Sequence, residues 1–202
     1  VDTLNTVLTQ TFNKFEVIIV DDGSTDDGVL KIQENFNDDR IKIIRQVNAG
    51  VSSARNTGVE HSVGAYIAFM DADDKWNEDY LLIMSQAIHM YPHAVMYSSG
   101  GICTNVDNTY LSYRLCNKYL NKILKVDYFE NPFVFSHTSS TVVKKEVFLE
   151  SCKFPAGMKC LEDFALFYDI ALRGDFVYIG LPISKYIGGV EGQITASSPE
   201  KL

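Results

Sequence analysis

The sequence has no uninterrupted apolar run of the roughly 18 residues that a membrane-spanning helix needs. It also has no basic-then-apolar leader at its start, so we expect a soluble, cytoplasmic domain. Peripheral attachment to the inner face of a membrane, through residues outside this chain, remains open. Positive charge is scarce, since 18 Lys and Arg stand against 26 Asp and Glu. An acidic surface repels phosphate backbones, which argues against nucleic acid as a partner.

Recognisable cysteine patterns are missing as well. Of the four cysteines, no pair has the Cys-x-x-Cys spacing, and no histidine lies at zinc-finger distance from them. We therefore expect free thiols in a reducing compartment. Internal repeats and low-complexity linkers are also lacking, while 46% of the residues are hydrophobic and 12% aromatic. This composition predicts one domain over residues 1–202 with a sizeable core.

Strand-like and helix-like segments alternate through the first half of the chain. Short runs rich in β-branched residues predict strands that are buried on both faces. These runs lie near residues 15–20, 41–45, 65–70 and 94–99. Helical apolar spacing occurs at residues 2–11, after Ser24, at 52–61 and at 76–91. The alternation predicts an α/β fold with a mostly parallel central sheet flanked by helices.

The second half is less regular. Residues 101–135 have no clear period, and we expect helices and a short antiparallel excursion there. Further along, residues 141–143 and 176–179 predict strands, and residues 145–151 and 163–173 predict helices.

Acidic clusters follow two of the predicted strands. Asp21 and Asp22 come after the first strand, and Asp71, Asp73 and Asp74 come after the third. In open α/β sheets, ligands bind beyond the carboxyl ends of the strands. The coincidence is the first indication of a functional site.

Asp71, Asp73 and Asp74 place three carboxylates within four residues, and these charges repel one another. A divalent cation removes the conflict, and oxygen ligands suit Mg²⁺ or Mn²⁺. The alternative is a helix N-terminus, where aspartates complement the dipole. Because the cluster follows a buried strand at the ligand edge of the sheet, we favour the metal.

Two further groups have similar alternatives. Asp22 is either part of a strand-to-helix turn or an acceptor for a base N–H or ribose hydroxyl. Asn48, Gly50 and Arg55 form either a plain loop and a capped helix with an exposed arginine or part of a functional site. In a functional site, Arg55 either contacts the nucleotide or pairs with and positions the acidic clusters.

Glu162 and Asp163 precede an apolar helix. They are either acids that complement the helix dipole or a general base presented at a helix start. The dipole should favour the ionised form of Asp163.

In order and spacing, these groups resemble family-2 glycosyltransferases of the GT-A fold. The resemblance is dense through about residue 85 and sparse between 100 and 160, and the joint pattern is far more specific than any single motif. The matching segments are Gln10-Thr11-Phe12, residues 15–26 (Phe-Glu-Val-Ile-Ile-Val-Asp-Asp-Gly-Ser-Thr-Asp), Asn48-Ala49-Gly50, residues 54–58 (Ala-Arg-Asn-Thr-Gly), residues 64–74 (Gly-Ala-Tyr-Ile-Ala-Phe-Met-Asp-Ala-Asp-Asp) and Glu162-Asp163.

The resemblance implies transfer of a sugar, with inversion, from a nucleotide-diphosphate donor (UDP by default) to a hydroxyl acceptor. A glycan or lipid-linked glycan, in surface polysaccharide or oligosaccharide synthesis, is the acceptor class that it implies. Residues 1–99 would then bind the donor with Mg²⁺ or Mn²⁺, and residues 100–202 would bind the acceptor and carry the catalytic base.

The resemblance also suggests residue roles. Asp73 is the first candidate for metal or diphosphate contact, with Asp71 and Asp74 sharing metal and ribose roles. Asp163 is the candidate catalytic base and Glu162 the second choice. The remaining donor-site candidates are Asp21, Asp22, Asn48, Gly50 and Arg55.

Two departures from the family pattern bear on these roles. The family usually has an earlier strand that ends in a Pro-x-Tyr-Asn-like turn, so we expect part of the nucleotide site to lie outside this sequence. Many relatives carry a Tyr-Arg pair followed by a histidine near the end of the domain, where this sequence has residues 186–189 (Tyr-Ile-Gly-Gly) and no later histidine.

Other function classes fit the sequence less well. A nucleotidyltransferase would normally show a Gly-rich, basic phosphate loop near its first strand, which this sequence does not contain. A non-catalytic nucleotide- or carbohydrate-binding module with the same fold is the other alternative, and assays of donor hydrolysis with and without Mn²⁺ separate it from an enzyme. A scaffold protein leaves the three-aspartate cluster unexplained.

Overall fold

The computed structural model describes residues 1–107, 109, 111–158 and 160–189. The helices are α1 (Asp2–Leu8), α2 (Gly28–Asn35), α3 (Val51–His61), α4 (Tyr80–Met90), α5 (Pro132–Phe135), α6 (Lys145–Glu150) and α7 (Glu162–Ala171). The strands are β1 (Val17–Asp21), β2 (Ile41–Arg45), β3 (Tyr66–Ala68), β4 (Lys75–Trp76), β5 (Met96–Asn105), β6 (Leu111–Arg114), β7 (Ile123–Val126), β8 (Thr141–Lys144) and β9 (Phe176–Gly188). Single 3₁₀ turns lie at Asn117–Tyr119, Tyr128–Glu130 and Thr138–Ser140.

The strands form two sheets. β1 and β2 make a parallel pair, and the larger sheet has the order β3-β8-β5-β9-β4, with β6 on β5 and β7 on β9. The expected α/β architecture is confirmed, but the expected mostly parallel pairing is wrong. Within the described residues, five of the seven pairings are antiparallel, and only β1–β2 and β5–β9 are parallel. The β5–β6 connection, for example, is far too short for the crossover that a parallel pair requires.

The parallel pair β5–β9 joins the two halves of the chain. It runs over ten positions, from Met96 opposite Phe176 to Asn105 opposite Gly188. The division that we drew at residues 99/100 falls inside β5, so the two proposed functional halves are not separate structural units.

The larger sheet is buried on both faces. Neighbouring residues along β5 and β8 point alternately into two apolar clusters: Met96 and Val143 pack on one side, and Tyr97 and Val142 on the other. Helix α7 covers the first face and α4 covers the second. No helix within the described ranges has both the length and the apolar character needed to cross a membrane.

The start of α4 differs from its expected position. Helical spacing placed Trp76 in this helix, but α4 begins at Tyr80, and Trp76 lies in β4 opposite Ser184 of β9. The indole stacks on the Tyr80 ring at 4.2 Å, and its Nε1–H donates to the carbonyl of Ser139 at 2.6 Å. Contacts with residues far away in sequence thus override the local helical pattern.

Candidate functional site

Arg55 of α3 lies at the centre of the candidate site. Its Nη2 is 2.6 Å from Asp71 Oδ1, just after β3, and its Nη1 is 2.8 Å from Glu162 Oε1, at the start of α7. The guanidinium lies 5.0 Å from the centroid of the Phe154 ring, and 13% of the Arg55 side chain is exposed. The structure therefore brings three of the predicted sequence groups together. Of the two roles considered for Arg55, it shows the pairing with acidic residues.

The charges in this bridge influence one another. Burial works against the charge on Arg55, but Asp71 and Glu162 outweigh it and leave the pKa of Arg55 raised. For Asp71, burial raises the pKa of the carboxyl, and Arg55 opposes that rise. The guanidinium stays protonated at every working pH. The contacts of Arg55 with Asp71 and Glu162, here called the Arg55 bridge, therefore keep a permanent positive charge beside residues 71–74, the acidic turn.

Hydrogen bonds from its own backbone fix the acidic turn after β3. The Asp71 N–H donates to Ser139 Oγ at 3.0 Å, and the Asp74 N–H donates to the Asp71 carbonyl at 3.1 Å. Asp73 is half-buried, whereas Asp74 is only 1% exposed and its Oδ1 accepts from the Ile187 N–H at 3.2 Å. The structure thus places Asp74 beneath the turn, away from the surface on which Asp71 and Asp73 remain accessible.

The metal predicted for this turn therefore has two candidate ligands, Asp71 and Asp73. No group of three His, Cys, Asp or Glu side chains in the described parts of the chain is arranged to hold a metal ion. Mg²⁺ is commonly held by one or two carboxylates and completed by waters and substrate phosphates. The oxygen donors present fit an ion completed by a diphosphate, and they do not form a closed protein cage.

The buried Asp74 should make the stability of the chain depend on pH. Burial raises its pKa from 3.8 to about 7, so the folded chain holds this proton more tightly than the unfolded chain. The contribution to stability is fully present below about pH 4 and is lost as the pH rises to about 7. Asp74→Asn cannot titrate, and we expect it to flatten this part of the profile.

Thermal unfolding in EDTA from pH 4.5 to 8 measures this effect, since a change of 1 kcal/mol shifts Tm by about 2–4 °C in a domain of this size. The exposed Asp39→Asn variant is the control. Asp163, whose pKa is also raised, is present in both proteins, whereas the charge of Asp71 raises the pKa of Asp74, so the variant removes this coupled titration. Parallel profiles for wild type and Asp74→Asn would contradict the assignment.

Asp163, the candidate base, lies half-buried in the first turn of α7. Its Oδ2 accepts from the Thr138 hydroxyl at 3.4 Å, and its Oδ1 accepts from the Phe164 N–H at 2.8 Å. Burial, reinforced by the negative charge of Glu162, raises the pKa of Asp163. The net direction of this pKa is upward, so burial acts against the stabilisation of the ionised form that we expect from the helix dipole. A raised pKa brings the carboxylate closer to the basicity that proton abstraction requires.

Glu162, the second candidate base, is engaged elsewhere. Its carboxylate binds Arg55, and 13% of the side chain is exposed. This contact makes Glu162 an anchor for the start of α7, and it leaves Asp163 as the acid of the pair that does not bind Arg55 in the structure.

Asp22 organises the loop that precedes α3. Its Oδ1 accepts from Gln46 Nε2 at 2.7 Å and from the Ala49 N–H at 2.9 Å, and its Oδ2 accepts from the Gly50 N–H at 2.8 Å. Gly50, at φ 87°, is the residue from which α3 starts, and Asn48 is exposed on the same loop. Contact of Asp22 with a base or ribose stays a prediction. The structure adds a second role for Asp22, which is to hold the loop before α3 in place.

Asp21 has a local structural role. The carboxylate is buried at the end of β1, 3.2 Å from Arg45 Nε, and it accepts from the Ser24 N–H at 2.8 Å. Hydrogen bonds from Ser24, aided by Arg45, lower the pKa of Asp21. These contacts fix the turn that presents Asp22.

A buried polar segment, residues 137–141, supports the site and was missed from the sequence. Thr138 contacts Asp163, and Ser139 contacts the Asp71 backbone and Trp76. His137 is buried, and burial lowers its pKa to about 3, so it is neutral. The run His-Thr-Ser-Ser-Thr before a β-branched strand was visible, but consecutive polar residues usually indicate an exposed loop.

Comparison with known proteins finds glycosyltransferases. A family model described as "Glycosyl transferase family 2" matches residues 1–150. Glycosyltransferase GlyA of Streptococcus pneumoniae serotype 4 is 33% identical over 130 residues, covering 63% of this chain and 19% of GlyA. The putative teichuronic acid biosynthesis glycosyltransferase TuaG of Bacillus subtilis is 43% identical over 83 residues, covering 40% of this chain and 32% of TuaG. The chain thus spans less than a third of either relative.

Among solved structures, S. aureus TarS 1-349 in complex with UDP-GlcNAc is similar with a TM-score of 0.82 and 18% identity. The match covers 98% of this chain and 56% of the TarS chain. It confirms the expected GT-A fold.

Proposed function

The chain belongs to glycosyl transferase family 2, and from this premise we propose that its site transfers a sugar from a nucleotide-diphosphate donor to a hydroxyl acceptor with inversion. The observation that carries the proposal is the Arg55 bridge. It ties the turn with Asp71 and Asp73, at the donor edge, to the helix start that presents Asp163. A carboxylate pair for the donor and a carboxylate for the acceptor are thereby held on one rigid support.

The donor side consists of Asp71, Asp73 and the loop that Asp22 shapes. Asp71 and Asp73 would hold a Mg²⁺ or Mn²⁺ ion, and such an ion would supply positive charge that stabilises the departing diphosphate. The relatives support a uridine donor only by analogy: the TarS complex contains UDP-GlcNAc.

The acceptor side centres on Asp163. In an inverting transfer, the acceptor oxygen bonds to the anomeric carbon while the bond from that carbon to the diphosphate oxygen breaks. The acceptor hydroxyl loses its proton to Asp163 Oδ1 or Oδ2 in the same displacement, so one base is sufficient. The raised pKa of Asp163 matches this role, because a base is most effective when its pKa lies near the working pH.

We further propose a glycan or lipid-linked glycan as the acceptor class, in the synthesis of surface polysaccharide or oligosaccharide. The printed name of TuaG refers to teichuronic acid biosynthesis, which supports this class by analogy. All four cysteines are free, in keeping with activity in the reducing cytoplasm, at the inner face of the membrane when the acceptor is lipid-linked.

Replacing Asp73 by alanine tests the donor site. We expect Asp73→Ala to abolish Mn²⁺-dependent binding of UDP, because one of two candidate metal ligands is lost. Stability should change by no more than about 0.5 kcal/mol, since the side chain lies in a surface turn and forms no core. Calorimetric titration of UDP with Mn²⁺ and with EDTA measures the effect, and the exposed Asp39→Ala variant is the control. Unchanged UDP affinity in Asp73→Ala would refute the assignment.

A further inference from the structure

Four aromatic side chains lie together beside the candidate base. Phe164 and Tyr168 are one helical turn apart on α7, and Phe129 and Phe133 project from the segment 127–135. We call Phe129, Phe133, Phe164 and Tyr168 the aromatic track. Within the segment, Tyr128 is buried, whereas Phe129 and Phe133 are 47% and 63% exposed. The segment therefore divides its aromatic rings between the core and the surface.

The rings of the track form two neighbouring pairs. Phe133 packs on Phe164 with ring centroids 4.8 Å apart, and Phe129 stacks on Tyr168 at 5.8 Å with 25° between the planes. Phe164 and Tyr168 are 6.1 Å apart and connect the pairs. The first pair begins in the same turn of α7 as Asp163, because Phe164 is the next residue and its backbone N–H donates to Asp163 Oδ1.

The second pair ends at a cleft. Phe129 and Tyr128 line a cleft of about 370 Å³ together with polar groups that include Asp127, Lys125 and Asp175. Lys125 and Asp175 form an ion pair at 3.2 Å and are both more than half exposed. From Asp163 to Ala171, which also lines the cleft, α7 rises by roughly 12 Å. The track thus runs from the candidate base to a concave site with hydrogen-bonding groups at its rim.

Core packing accounts for only part of this arrangement, because Tyr168 packs partly against the core whereas Phe129 and Phe133 are 47% and 63% exposed. The buried face of α7 consists of Leu166, Phe167 and Ile170, and the sheet lies on that side. Apolar ring surface that stays exposed to water is unfavourable, and contiguous exposed apolar groups commonly mark a binding surface. Aromatic faces bordered by a few polar groups are typical of ligand sites.

We propose that the aromatic track binds the sugar rings of an oligosaccharide acceptor beyond the unit that receives the new sugar. The proposal rests on the proposed function, in which Asp163 takes the proton of the acceptor hydroxyl. Pyranose rings present flat C–H faces that pack on aromatic rings, and their hydroxyls bind carboxylates and ammonium groups at the edges. The position of the Phe133–Phe164 pair in the same turn of α7 as Asp163 selects this occupant, because rings next to the base along the helix are placed to hold the sugar units next to the reacting hydroxyl.

The track also predicts an effect of acceptor length on the reaction. Binding energy from parts of a substrate that do not react can be used to orient the reacting group. We therefore expect acceptors of two or more sugar units to be used better than the corresponding monosaccharide.

The test compares the full chain with the double variant Phe129→Ala/Phe133→Ala on an array of bacterial surface oligosaccharides that includes monosaccharide controls. Both side chains are substantially exposed, so the variant should fold. Leu172→Ala, which removes a side chain 74% exposed at the other end of α7, is the matched control. We expect wild type and control to bind oligosaccharides in preference to monosaccharides, and the double variant to bind them roughly tenfold more weakly, as when aromatic anchors are removed from an interface. UDP affinity should be the same in all three proteins.

Four outcomes would overturn the proposal. The first two are glycan binding by the double variant that equals that of wild type, and no glycan binding by wild type. The third is binding of monosaccharides by wild type as tight as its binding of oligosaccharides. The fourth is a double variant that changes dimerisation or binding to phosphatidylglycerol vesicles but leaves glycan binding unchanged. The proposed function fails on a different result. If glycan binding depends on the rings but no sugar is transferred from UDP-GlcNAc or another donor, the proposal for the aromatic track stands and the proposed transferase activity is rejected. If the double variant transfers sugar to a glycan with the same KM as wild type, the transferase activity stands and the proposal for the aromatic track is rejected.

Discussion

Replacing Asp163 by asparagine should lower the rate of sugar transfer roughly 10²- to 10⁴-fold, the usual contribution of a general base. The amide has nearly the same shape, and its oxygen can still accept from the Phe164 N–H that binds Asp163 Oδ1 at 2.8 Å. It has no useful basicity, so the acceptor proton has nowhere to go. UDP binding should be unchanged, because the donor edge depends on Asp71 and Asp73.

Transfer rate and UDP affinity, measured side by side, decide this prediction. Asp39→Asn, at an exposed site outside the proposed donor and acceptor regions, controls for the loss of one carboxylate. In wild type the transfer rate should rise with pH as Asp163 ionises. In Asp163→Asn this rise of the rate with pH should be absent. If transfer stays near the wild-type rate, or if rate and affinity fall together, Asp163 is a structural residue.

Replacing Arg55 by methionine should have the largest effect on stability. The apolar stem is retained over Phe154, but Asp71 and Glu162 lose their common partner. Removing one partner of a fully buried ion pair costs about 3–5 kcal/mol. Because 34% of the Asp71 side chain is exposed, we expect a smaller loss of about 2–3 kcal/mol. Transfer should also be lost, since the acidic turn and the start of α7 are no longer tied together.

Urea unfolding of Arg55→Met measures the loss of stability, and Arg173→Met is the matched control. Arg173 pairs with Asp169 one turn away on the surface, where such pairs contribute about 0.3–0.5 kcal/mol. Adding Glu162→Gln to Arg55→Met removes one unpaired charge, so it should recover part of the stability without restoring transfer. A loss within 0.5 kcal/mol for Arg55→Met would show that the bridge is not a structural support.

Much of the site followed from the local sequence because strand ends and helix starts are short-range features. The β-branched run before Asp21 predicted β1, and the acidic turn after β3 was placed at a strand end, as the structure shows. The pairing of Arg55 with an acidic cluster was one of two alternatives that the charge balance left open. The strand-end inferences used only a residue and its near neighbours, and the Arg55 alternative used the charge balance of the whole chain.

The remaining features depend on distant contacts. Asp71, Asp73 and Asp74 look alike in sequence, and Asp74 turns inward because its partner is the Ile187 N–H, 113 residues away. Trp76 lies in a strand and not in the predicted helix because it contacts residues far away in sequence, namely Ser139 and β9. The raised pKa of Asp163 depends on tertiary burial, which no local pattern reveals.

The long pairing of β5 with β9 sets an order of events during synthesis. The partner of Met96 is Phe176, about 80 residues later in the chain. At roughly 5–20 residues per second, a ribosome needs on the order of 4–16 s to deliver it, and β5 lacks this partner during that time. Ile187, whose N–H holds Asp74, emerges later still. The acidic turn is thus translated early but is completed only after nearly all the described chain has emerged, so a nascent chain should acquire nucleotide affinity late.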